Sequence, residues 1–365
     1  INMREPISSQ TPEALWAWLS GQGEREYRAE QILQWIHRKH VANWSAMTNL
    51  TELLRHNLSE TFEFSTIELA HKQGSADTTE KFLWKLRDGQ LVESVLIPAS
   101  PSLYGDQSDR HTLCVSTQVG CAYGCKFCAS GLDGFKRDLE PSEIIDQVLA
   151  TERWHKEQEG VGERLINNLV IMGMGEPLAN YDKLMTALEI LNAEWGANIG
   201  ARKITISTSG LAPEIRRLAH QPRQYRLAIS LHGATDEVRN RIMPLNKKYP
   251  LAELTAAAEE YQQAKNGKIT LEYVLIAHVN DALDQTKPLA DLAKRLRAKV
   301  NLIPYNHVDG LEWTRPDETT QDAFLLALIA HGTKVTLRRE KGHDIDAACG
   351  QLRLRTEKEL AGIAD

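Results

Sequence analysis

The segment that decides the fold is His111-Thr112-Leu113-Cys114-Val115-Ser116-Thr117-Gln118-Val119-Gly120-Cys121-Ala122-Tyr123-Gly124-Cys125-Lys126-Phe127-Cys128. Residues 111–117 read as a strand, and the cysteines fall on the loop that follows it. Strand-like runs recur at 167–173, 203–208, 226–232, 269–277 and 300–305. Helical stretches lie between them near 141–156, 181–194, 211–219, 251–265 and 283–298, with one more near 318–331. Strands alternating with helices in this way imply parallel strands joined by crossover helices. The expected class is α/β, as a partial six-unit barrel, because the two further units of a full barrel are not found. A last strand, Lys334 to Arg339, leads into a glycine-bearing tail.

The flanks have a different character. Thr11-Pro12-Glu13 opens a helix by the cap-then-proline rule, and apolar residues follow at Leu15, Trp16 and Leu19. Tyr27, Ala29, Ile32, Leu33, Trp35 and Ile36 mark a second helix, and Leu50, Leu53, Leu54 and Leu58 a third. Residues 81–86 and 91–97 are strand runs separated by Arg87-Asp88-Gly89-Gln90, a hairpin signal. Glu93 stands inside the second run, an unusual place for a carboxylate. Residues 98–110, rich in Pro, Ser, Gly and Asp, read as a loop. The expected division is a helical unit over 3–66, a hairpin extension with its loop over 67–110, the barrel over 111–340 and a tail over 341–365. The helical unit is equally a packing module or an RNA-docking one.

The chain has 365 residues, 42% of them hydrophobic and 25% charged, which supports a sizeable core and argues against wholesale disorder. No apolar run is long enough to cross a bilayer. The start, Ile1-Asn2-Met3, lacks a basic-then-apolar leader pattern, so a cytoplasmic location is expected. The net charge of -6 is not that of a non-specific nucleic-acid binder. An RNA-acting protein of this charge must rely on local basic patches and on shape. Five cysteines, an odd number, argue against a disulfide framework.

Cys121, Cys125 and Cys128 form C-x3-C-x2-C. Three thiolates on one loop can hold a small iron–sulfur cluster and leave one iron open to a ligand. Structural zinc sites more often pair one C-x2-C with a second downstream, and no second pair exists here. The loop follows the first parallel strand at its C-terminal end, where such folds bind ligands. Gly173-Met174-Gly175-Glu176-Pro177, Ser207-Thr208-Ser209-Gly210, Ser230-Leu231-His232 and Asn306 fall at the same end of later strands. Singly each is an ordinary turn; together they describe one site.

With an aromatic before its last cysteine, the cysteine pattern resembles the radical S-adenosylmethionine superfamily. The GMGEP, STSG and SLH elements, Asn306 and the tail Asp346-Ala347-Ala348-Cys349-Gly350-Gln351-Leu352 resemble the RlmN/Cfr group of RNA methyltransferases, and more closely its RlmN branch. The likeness spans nearly the whole chain, although the 98–110 loop is longer than the family pattern. The resemblance implies that Cys121, Cys125 and Cys128 hold a 4Fe-4S cluster. It implies that Gly175, Glu176, Ser207, Ser230, Leu231, His232 and Asn306 bind S-adenosylmethionine, two molecules per turnover. It implies that Cys349 carries the methyl group, that Cys114 is its partner thiol in a transient disulfide and that Glu93 accepts a proton. The implied substrate is carbon 2 of adenosine 2503 in 23S rRNA and, in some bacteria, adenosine 37 of certain tRNAs. An electron donor such as flavodoxin is an implied partner.

The chemistry suits these residues. Carbons 2 and 8 of adenine are poor nucleophiles, so a radical route through a methylated cysteine avoids direct attack on the sulfonium. Release then requires thiol attack on sulfur, which is thiolate chemistry. Small neighbours of Cys349 suit a mobile loop, whereas Asp344 and Asp346 would raise its thiol pKa. Cys114 and Cys349 read equally as inert buried thiols when taken singly, and Glu93 also as half of a salt bridge. Lys126, Phe127, Phe135, Lys136 and Arg137, and a second set of Lys334, Arg338, Arg339, Lys341 and Arg353, are candidate RNA contacts or simply solvated faces. Carbon-8 methylation, a radical enzyme acting on a protein or small molecule, and a zinc RNA-binding module are the rival readings.

Overall fold

The computed structural model describes residues 4–75, 78–98, 110–132, 134–160, 164–308 and 310–338. Cys349 and the rest of the tail, and most of the 98–110 loop, lie outside them.

Three helices open the chain: α1 (Pro12–Ser20), α2 (Tyr27–His37) and α3 (Glu52–Thr61). Thr11 and Thr51 cap α1 and α3 by accepting from the backbone N–H three residues on, each at 3.2 Å. Leu15 and Leu19, Ile32, Leu33 and Ile36, and Leu54 and Leu58 form the buried stripes. Short strands β1 (Glu5–Pro6) and β2 (Phe62–Glu63) pair in parallel and tie the two ends of this unit.

The rest is built on one sheet. Strands β3 (Ile67–Gly74), β4 (Glu80–Leu86) and β5 (Leu91–Pro98) are antiparallel. The expected hairpin is β4–β5, closed by Gly89 at φ 81°. Strand β3 is not evident in the sequence; it is largely exposed and owes its shape to pairing with β4. β5 joins β6 (His111–Cys114) antiparallel. A small pair, β7 (Gln118–Val119) with β8 (Arg137–Asp138), brackets the cysteine loop. Then β9 (Asn168–Ile171), β10 (Ile204–Thr208), β11 (Arg226–Ser230), β12 (Ile269–Leu275), β13 (Lys299–Pro304) and β14 (Val335–Leu337) follow β6, all parallel and in sequence order. Helices α4 (Pro141–Glu159), α5 (Tyr181–Asn192), α6 (Ala212–Ala219), α7 (Asp236–Ile242), α8 (Leu251–Lys265), α9 (Thr286–Arg295) and α10 (Glu318–Ala330) lie between or beside them.

Sequential order with right-handed crossovers puts the helices on one face and lets the sheet curl. The charges show that curl. Lys299 at the start of β13 is lowered in pKa by desolvation, and Glu272, Arg226, Arg110 and Lys334 act on it as well. Arg110 precedes β6, five strands away in the sheet. In a flat sheet it would lie about 24 Å off, well past a screening length.

The register separates two faces. Leu113, Leu169, Ile171, Ile206, Leu227, Leu271, Val300 and Leu302 share the helix-covered face and are at most 1% exposed. The inner face carries, in register, Cys114 with Val170, Ser207 with Ala228, and Ser230 with Glu272 and Asn301. Cys114 also stands opposite Val95 on β5, and Glu93, two residues back, points the same way. Glu93, Cys114, Ser207 and Ser230 therefore share one polar inner face.

Candidate active site

Gly120 admits the cysteine loop. Its φ is 71°, and a Cβ there would lie 1.8 Å from the Gly134 carbonyl oxygen, so only glycine fits. The loop is then pinned from two sides. The Lys126 N–H donates to Ile242 O at 2.9 Å, and Trp313 Nε1 donates to Lys126 O at 2.8 Å. Cys121, Cys125 and Cys128 are half-buried, and burial pushes all three thiols up from their ordinary range. A cavity of about 400 Å³ opens between Cys125, Cys128, Gly131 and Leu132 on one side and residues 310–313 on the other. Among the described residues no three His, Cys, Asp or Glu side chains converge for a single metal ion. Thiols spaced along a loop beside a cavity fit a cluster, whose positive iron would restore the thiolates that burial disfavours.

Across from this loop stands Glu176, 3% exposed. Its Oε2 accepts from Ser209 N–H and Oγ–H, each at 2.6 Å, and its Oε1 from Leu178 N–H at 3.1 Å. Burial raises its pKa against these bonds. A carboxylate has about four acceptor positions, and the Thr208 hydroxyl also draws on it, so an ammonium group would share an oxygen with one of these donors. Gly175 makes the approach possible: φ is 98°, and a Cβ would lie 2.5 Å from Gln118 Cβ. Gln118 in turn accepts from Glu176 N–H at 2.8 Å.

Ser207 and Ser230 bring their hydroxyls to 3.4 Å. His232 is fixed at φ 53°, with Nδ1 accepting from Val274 N–H at 3.0 Å. Burial, aided by Arg239, holds its pKa down at about 3, so the ring is neutral and its proton sits on Nε2. Leu231 is buried, and Asn306 is half-buried just past β13. The sheet thus brings the cysteine loop, Gly175, Glu176, Ser207, Ser230, Leu231, His232 and Asn306 to the C-terminal end of the parallel strands.

Cys114 ends β6 on the inner face and is half-buried. Glu93 is 5% exposed, with Lys81 Nζ 3.9 Å from its Oε1. Its carbonyl accepts from Ser116 Oγ–H at 2.6 Å, and Ser116 Oγ in turn accepts from Met174 N–H at 2.8 Å. The backbone at Glu93 is thus one hydroxyl away from the GMGEP loop.

Two of the suggested RNA contacts change meaning. The Phe127 ring packs edge-on against His232 at 4.7 Å, so it is occupied within the protein. Arg137 is held by Glu143 and Asp88 at 2.7 Å each. Lys126, Phe135 and Lys136 stay exposed. Arg339, Lys341 and Arg353 lie outside the described residues. Ser209 lies in a strand-end element already singled out, though without a role of its own; the residues missed in the sequence are Gln118 and above all Arg239, which sits on α7.

Residues 7–64 match the ribosomal RNA large subunit methyltransferase N-terminal domain, and residues 115–287 the radical SAM superfamily. A solved radical SAM methyltransferase from Sphaerobacter thermophilus superposes with a TM-score of 0.88 at 40% identity, covering 95% of this chain and 98% of its own. The curled sheet with its cysteine loop is therefore that of a radical S-adenosylmethionine enzyme, which uses a 4Fe-4S cluster and S-adenosylmethionine. A probable dual-specificity RNA methyltransferase RlmN from Akkermansia muciniphila is 54% identical over 98% of this chain and 97% of its own. The dual-specificity RNA methyltransferase RlmN of Anaeromyxobacter dehalogenans is 46% identical over 95% and 91%. The chain belongs to the RlmN family of RNA methyltransferases.

Proposed function

We propose that this chain methylates carbon 2 of adenosine 2503 in 23S rRNA and adenosine 37 of some tRNAs, with Cys349 as methyl carrier. The observation that supports this most is the common inner face of Glu93 and Cys114, directed toward the cofactor end of the barrel. When bound, cluster and S-adenosylmethionine supply a methyl group and a hydrogen-abstracting radical, which would use two cofactor molecules per turnover.

The chain's own residues do the rest. Glu176 accepts from the cofactor's amino group, with Gly175 leaving the space. The Ser207 and Ser230 hydroxyls, His232 Nε2–H, the Leu231 backbone and Asn306 orient the remainder. Cys349 gives up its proton, takes the methyl group and presents it as a methylene to the ring carbon. Glu93 receives the ring proton, with Lys81 beside it to stabilise the carboxylate before transfer. The Cys114 thiolate then attacks Cys349 sulfur, forming a disulfide as the carbon–sulfur bond breaks; the departing carbon keeps that bond's electron pair and takes up a proton to become the methyl group, and the unpaired electron left by radical addition would return to the cluster.

The helical unit over 3–66 docks the RNA, and exposed Lys126, Phe135 and Lys136 meet it beside the cluster. A flavodoxin-type donor supplies electrons in the cytoplasm. Among the described residues no helix is long and apolar enough to cross a membrane. Incubating the anaerobically reconstituted enzyme with 23S rRNA fragments and with tRNA, then digesting to nucleosides for mass spectrometry, tests the reading. 2-Methyladenosine in both RNAs is expected. 8-Methyladenosine, or no methylated adenosine, would overturn it.

A further inference from the structure

Arg239 lies in α7 and is 0% exposed. Among the described residues no carboxylate lies within ion-pair distance of it. All its hydrogen bonds go to neutral oxygens: Nε donates to Leu231 O at 3.0 Å, Nη1 to Asn246 Oδ1 at 2.6 Å and Nη2 to Ser209 O. A buried guanidinium without a counter-ion is costly. Desolvation pulls its pKa down to about 10, so it stays charged at neutral pH.

Two facts say what that charge faces. Ile242, on the same helix, lies in the apolar cluster against which Cys125 and Phe127 pack, so the helix that carries Arg239 borders the Cys125 side of the loop. The nearest described carboxylate in its network is one amide away, since Asn246 Nδ2 donates to Asp236 Oδ1 at 2.8 Å. The contact is also mechanical: Ile242, one turn after Arg239, accepts from the Lys126 N–H inside the cysteine loop. The other bonds of Arg239 end on Ser209, which holds Glu176, and on Leu231, beside His232.

We propose that Arg239 is a positioning residue that fixes a positive charge on the Cys125 side of the cluster, so setting its reduction potential, while clasping the Ser209 and Leu231 loops that receive the cofactor. The proposal rests on the cluster reading above. A cluster gains a negative charge on reduction, and a nearby fixed cation stabilises that form, so the potential rises. The thiolates and the cluster they would hold supply the negative charge that the guanidinium otherwise lacks, and reduction adds to it.

The test uses reconstituted wild type, Arg239→Gln and Arg239→Lys, without substrate. Iron and sulfide are counted, and midpoint potentials are read by redox titration monitored by electron paramagnetic resonance. Arg239→Gln should load its cluster at a more negative midpoint. Arg239→Lys keeps the charge but not the three-way clasp, so its midpoint should return toward wild type while S-adenosylmethionine binds more weakly. A merely structural arginine would not give that split. Should Arg239→Gln not fold, the paired exchange Asp236→Asn with Asn246→Asp moves a carboxylate onto the guanidinium at constant net charge. It should also lower the midpoint. Equal midpoints in loaded wild type and variants would refute the proposal alone. Wild type that takes up neither iron nor sulfide would refute the cluster reading and the proposal with it.

Discussion

Replacing Glu176 by Gln alters a side chain whose described partners all donate. If the amide nitrogen takes the place of Oε2, it meets Ser209 N–H and the Ser209 hydroxyl; if it takes the place of Oε1, it meets Leu178 N–H. Either orientation opposes at least one backbone N–H in a site 3% exposed. One buried donor left unmade costs about 1–3 kcal/mol. The cofactor's ammonium also loses a charge-assisted acceptor, about 1.5–3 kcal/mol. Part of the first cost is returned, because burial already penalises the carboxylate and raises its pKa. The unmade donor costs stability in free and bound protein alike, so the lost ammonium contact alone, about 1.5–3 kcal/mol, sets the binding loss, roughly 10- to 160-fold. Calorimetric titration of the reconstituted variant, with thermal melting as a fold control, measures this. The wild type should also bind more weakly as pH falls through the raised pKa of Glu176, and the variant should show no such dependence. A dissociation constant within about threefold of wild type, in a folded variant, would refute the role of Glu176.

Other outcomes follow from the same geometry. Cys125→Ala should lose the brown chromophore on reconstitution, and an intact 4Fe-4S absorption band would contradict the cluster assignment. Cys114→Ala should still attack adenine and then stall as an RNA–protein conjugate through Cys349, seen as a nuclease-sensitive band on a denaturing gel; methylated RNA released at the wild-type rate would return Cys114 to a packing role. His37 is fully buried against Trp195, and burial, then the charges of His40 and Arg153, holds its pKa down at about 3. The unfolded chain takes that proton near 6.5, so the stability from burying a neutral ring is complete above pH 6.5 and lost as pH falls toward 3. His37→Phe should therefore gain on wild type by about 1.4 kcal/mol per pH unit below pH 6. Urea titrations at pH 7, 6 and 5 giving a constant difference would contradict it.

The parallel strands were legible because they read as largely apolar runs between turn residues, as in Leu227-Ala228-Ile229 and Leu169-Val170-Ile171. The cysteine loop and the polar elements at the strand ends followed from the same rule. What escaped depends on long-range partners. β3 is polar and largely exposed, and only β4 makes it a strand. α7 has seven residues, Asp236-Glu237-Val238-Arg239-Asn240-Arg241-Ile242, whose charges hide its buried Val238 and Ile242. Its one local signal is the Thr235 cap, which accepts from Val238 N–H. Arg239 reads there as one more surface charge. Arg137 and Phe127 looked available because Asp88 and His232 lie far along the chain, and Glu143 reaches Arg137 only from the first turn of α4.

The central claim is that the transferred carbon passes through Cys349 as a methylene. Its most direct test is a reaction with S-adenosylmethionine bearing a fully deuterated methyl group, followed by mass spectrometry of the methylated adenosine and of the nucleoside released from the cofactor. Hydrogen abstraction from the Cys349 methyl removes one deuterium before the carbon reaches the ring. The product methyl should therefore carry two deuterium atoms, and the missing one should appear in 5′-deoxyadenosine. A product retaining all three, with no deuterium in 5′-deoxyadenosine, would mean direct methyl transfer and would contradict the account.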